Sequence, residues 1–89
     1  MTQYTIVECR YKMRMLTIEA ANIDSLRKKL LDVFNGGSMW VYDDSRFGTA
    51  SLVGMITWDP IIGKIVWYNV SAPNPAYAIS EKTGKIRRL

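Results

Sequence analysis

Eighty-nine residues with 48% hydrophobic and 22% charged side chains suit one folded domain spanning 1–89 and exclude a disordered chain. The longest apolar run, Leu52 to Ile56 with Gly54 inside it, is far short of the roughly 20 residues a membrane-spanning helix needs. The formal charge of +4 is uneven: residues 1–45 balance six basic groups with six acidic ones, whereas 46–89 hold six basic groups against Asp59 and Glu81. The opening residues lack the basic-then-apolar layout of a secretion signal. A single cysteine, Cys9, excludes an internal disulfide. The expectation is a cytoplasmic protein with no membrane partner.

Residues 3–20 predict a β-hairpin. Tyr4 and Ile6, then Leu16 and Ile18, are apolar at even positions, with a charged block from Glu8 to Arg14 between them. Folding the chain back near Arg10-Tyr11-Lys12 moves that block to the tip. An odd loop count then pairs Ile6 with Leu16, Tyr4 with Ile18, Glu8 with Arg14 and Val7 with Met15.

Residues 22–36 predict a helix. At ~100° per residue, Ile23, Leu26, Leu30, Val33 and Phe34 share an arc of roughly 100°. Asn22 suits the N-cap, Asp24 the first turn, and Gly36 a left-handed stop.

Further on, Met39–Tyr42 is strand-like, Asp43-Asp44-Ser45 reads as a turn, and Leu52–Trp58 reads as a strand with a bulge or close approach at Gly54. Asp59–Gly63 is a turn. Lys64–Val70, β-branched and aromatic, is the clearest strand, and Ser71–Pro75 is a loop. Residues 77–89 form a hairpin turning at Gly84. This last stretch, with Tyr77, Ile79 and Thr83-Gly84-Lys85, resembles the terminal hairpin of PepSY-type domains. The likeness covers about a seventh of the chain, and nothing beyond the hairpin is carried over from it. The expected class is α+β: a single amphipathic helix packed on one face of an antiparallel sheet, in the order β-β-α-β-β-β-β-β.

The chemical inventory argues against an enzyme. With no histidine, the commonest general base and the usual transition-metal ligand are both missing, and one cysteine builds no four-ligand zinc site. No stretch matches a phosphate loop or a dinucleotide fingerprint. Asp43 and Asp44 suit local turn bonding better than acid–base work, and Cys9 suits a small buried apolar position. No cofactor and no metal are expected.

Two binding hypotheses remain. One helix covers one sheet face, so some of the seven large aromatics between residues 40 and 77 should lie on the other. Trp40, Trp58, Trp67 and Tyr68 are then candidates to bind a protein partner or a second copy in a homodimer. Alternatively, Arg10, Lys12 and Arg14 at one hairpin tip, with Lys82, Lys85, Arg87 and Arg88 at another, could grip a nucleic-acid backbone if the tips lie close together.

Overall fold

The computed structural model describes residues 1–9, 13–34, 36–44 and 51–89. Its elements are β1 (Thr2–Cys9), β2 (Met13–Ala20), α1 (Ile23–Leu30), β3 (Met39–Asp43), β4 (Ser51–Asp59), β5 (Lys64–Asn69), β6 (Tyr77–Ile79) and β7 (Ile86–Arg88). All seven strands form one antiparallel sheet in the order β2-β1-β3-β4-β5-β6-β7. The alternating first segment pairs as its apolar positions require: Ile6 with Leu16, Tyr4 with Ile18, Val7 with Met15 and Glu8 with Arg14. From β3 onward the chain meanders, each strand pairing with the next, as short turns at Gly63 and Gly84 demand. No helix among the described residues is long and apolar enough to cross a membrane.

The register assigns every side chain to a face. Tyr4, Ile6, Met39, Val41, Ile56, Ile65, Trp67 and Ile79 lie on the helix side and form one core with Leu26 and Leu30. Gly54 shares that side, and the indole of Trp67 packs against it. The register with β3 slips beside it, between Val41 and Tyr42, so bulge and close approach coincide.

The helix is shorter than the sequence pattern predicts. Asn22 Oδ1 accepts from the Ser25 N–H at 2.9 Å, as a cap should. At the other end, the N–H groups of Leu31, Asp32 and Val33 donate to the carbonyls of Lys28, Lys29 and Leu30. These i→i+3 bonds tighten the last turn and end the α-helix at Leu30. Val33 and Phe34 still pack on the core, but from the turn that follows, and Gly36 (φ 91°) takes the chain out of it.

The Asp43-Asp44 turn is also revised. Asp43 ends β3, opposite Tyr4 and Ser51. The Asp44 N–H donates to Gln3 O at 3.0 Å, and its carboxylate accepts from Thr5 Oγ1. Backbone pairing with β1 therefore reaches through Asp44, and Ser45 lies outside the described residues.

Arg27 is the unexpected member of the helix-side core, only 5% exposed. Its guanidinium lies 4.9 Å from the Trp67 ring centre and 4.5 Å from that of Tyr77, and Nη1 bonds Asp24. Nε has no hydrogen-bond partner. The side chain therefore contributes chiefly as cover for two rings. Arg27→Met, which keeps the stem and removes a costly buried charge, should change stability by less than ~1 kcal/mol. Arg27→Ala, which bares both rings, should cost ~2 kcal/mol or more. Urea midpoints of the two variants check this, and equal losses would show that the charge is what matters.

Candidate functional site

A sheet seven strands wide is roughly 29 Å across, whereas an eight-residue helix is only about 12 Å long. The helix is moreover confined to one side. On the far side, strand pairing lines up Met15, Val7, Trp40, Met55 and Tyr68 as successive neighbours on β2, β1, β3, β4 and β5. They make an apolar ladder running across the strands. Met15 is 67% exposed and Trp40 37%. Thr17, Thr5 and Tyr42 form a row along one flank, with the Asp44 carboxylate bonded to Thr5 Oγ1. Between Trp40, Met55, Tyr68 and the Ser71-Ala72 loop lies a hollow of about 180 Å³, room for one large side chain. The described part of the terminal hairpin extends the sheet beside β5 and does not fold across this face.

The four candidate aromatics therefore separate. Trp40 and Tyr68 stand together on the far face, joined through Met55. Trp67 is withdrawn: it is fully buried beneath the helix, with Nε1 donating to Asn69 Oδ1 at 3.0 Å. Trp58 is 40% exposed, yet its pairing with Ile65 puts it on the helix side, away from the ladder. Parity along β5 required that Trp67 and Tyr68 face opposite ways. Which of them faced out depended on the position of the helix.

The basic candidates separate too. The hairpins β1–β2 and β6–β7 occupy opposite edges of the sheet, about 24 Å apart at five strand spacings. Arg10 and Lys12 lie outside the described residues, and Arg14 is described only as part of β2. Arg88 pairs with Tyr77 on the helix side.

Lys82, Lys85 and Arg87 instead line a groove of about 640 Å³ together with Lys64, which the sequence did not single out. Lys64 joins them because the β4–β5 turn and the β6–β7 loop emerge at the same end of adjacent strands.

The acidic groups serve the fold. Asp59 Oδ1 accepts from the Ile61 and Ile62 N–H groups at 2.9 and 3.1 Å, capping the turn to β5. Among the described residues no three metal-ligating side chains gather. Compared with family models, curated proteins and solved structures, the chain matches none.

Proposed function

We propose that this domain is a non-enzymatic protein-interaction module whose partner, in the first instance a second copy of itself, docks on the far face of the sheet. The observation that carries the reading is the uncharged ladder Met15–Val7–Trp40–Met55–Tyr68. Burying it desolvates apolar surface and few polar groups, which is what the centre of an interface requires. Trp40 and Tyr68 beside the hollow supply the aromatic anchor and the pocket that concentrate binding energy. Two such sheets can stack about 10 Å apart with their strands roughly 30° from parallel. A twofold axis through the ladder sets each copy's Trp40 near the other's hollow. The lone thiol and the absence of histidine support a cytoplasmic setting and a role without catalysis.

Light scattering after size exclusion, over a concentration series, tests the reading. The expected result is a concentration-dependent dimer that Trp40→Glu weakens at least tenfold, while the thermal melt of the monomer stays unchanged. A chain that remains monomeric up to about 1 mM, where association is worth only ~4 kcal/mol, would reject self-association.

A further inference from the structure

The groove beside the terminal hairpin follows from local sequence chemistry. Ser80, Thr83, Gly84 and Lys85 build a compact loop. The Ser80 N–H donates to Lys85 O and the Gly84 N–H to Ser80 O, both at 2.9 Å. Thr83 N–H reaches Ser80 Oγ, and Lys85 N–H reaches Thr83 Oγ1. Gly84 takes φ +70°, where a side chain would be strained. The loop is thus held in shape by its own bonds.

Opposite it stands the β4–β5 turn, with Gly63 and Lys64. Ala78, nearly buried and opposite Arg87 on the far side of the sheet, forms a small-residue floor. The groove is open to solvent, and its volume of about 640 Å³ is within the range of small-ligand sites. Four cations, Lys64, Lys82, Lys85 and Arg87, line it against one carboxylate, Glu81. The Arg27–Asp24 ion pair lies elsewhere, on the helix.

We infer that this groove binds a ligand carrying several phosphoryl groups. A lining charge of about +3 offsets most of the roughly four negative charges of a triphosphate, or those of three successive nucleotides in a strand. Arg87 can hold one phosphate through two parallel bonds, and the three lysines act as point charges around the rest. Lys64 stands on β5 and Arg87 on β7, with Ala78 of β6 between them, so cations flank the floor on both sides. The site is distinct from the ladder and does not depend on the docking reading above.

Calorimetric titration at low salt, with tripolyphosphate, ATP and short single-stranded oligonucleotides, tests the inference. Binding is expected in at least one arm, to weaken steeply with added salt, and to fall at least tenfold in the exposed double variant Lys64→Glu with Arg87→Glu. Lys28→Glu with Lys29→Glu, on the helix, makes the same change in net charge and should leave affinity within about twofold. Affinity that rises with oligonucleotide length identifies a nucleic-acid strand as the source, and saturation by ATP identifies a free nucleotide. Both outcomes support the site. No binding in any arm, equal losses in the two double variants, or equal competition by sulfate would overturn it. Trp40→Glu should bind as wild type, which separates failure here from failure of the docking reading.

Discussion

Leu30→Asp is expected to abolish the cooperative unfolding transition. Leu30 is fully buried in the core beneath the helix, and truncating such a leucine costs ~3–5 kcal/mol from lost transfer and cavity alone. An unpaired carboxylate there adds several kcal/mol, whether it stays charged or takes up a proton. The buried cation of the same helix, Arg27, is committed to Asp24 and two aromatic rings. Domains of this size have ~5 kcal/mol in hand, so the sum exceeds the total. Far-UV circular dichroism on heating reads the result directly. A sigmoidal melt near the wild-type midpoint would mean that α1 is not the piece that closes the core.

Gly54→Ala should be nearly as damaging, although it adds a single methyl group. An added Cβ would overlap ring carbons of Trp67 and lie 2.6 Å from the Tyr68 carbonyl oxygen. Neither can retreat: Tyr68 is held in the β4–β5 ladder and Trp67 is completely buried. Overpacking of this kind costs ~3 kcal/mol, at the upper end of its usual range. The variant should show a lower denaturation midpoint and a red-shifted tryptophan emission as Trp67 leaves its site. Trp67→Leu makes room, so the double variant should recover part of the loss, a coupling of ~1 kcal/mol or more. Strict additivity would contradict the close approach.

These two positions also show how legibility differs along the chain. Leu30 announces itself by spacing, since a helix period of 3.6 residues is visible in any window of a few turns. Gly54 was legible as an anomaly, a glycine inside a strand, but the ring that occupies its missing side chain comes from a different strand. Arg27 lay within reach of the same helical wheel: at ~100° per residue it falls about 20° from Phe34, inside the stripe's margin. Reading by residue type rather than angle sends a charged side chain outward. The structure instead uses its long stem to roof Trp67 and Tyr77. The candidate sites were legible in pieces. Trp40, Tyr68, Lys82, Lys85 and Arg87 were singled out, while Trp67 was misassigned and Lys64 passed over.

By itself the sequence determined the class of fold, the succession of elements and the register of the first hairpin. Each of these rests on periodicity, turn residues and parity, which act between near neighbours. It also determined a chemical inventory without histidine. Tertiary structure decided which face the helix covers, and hence that Trp67 is core while Tyr68 belongs to the far-face ladder. It also decided that the basic hairpins stand at opposite edges of the sheet, and that Lys64 shares a groove with cations some twenty residues away. The reason is physical: strand order is set by burying the helix stripe and pairing backbone edges over the whole chain at once. No window of local sequence contains that sum.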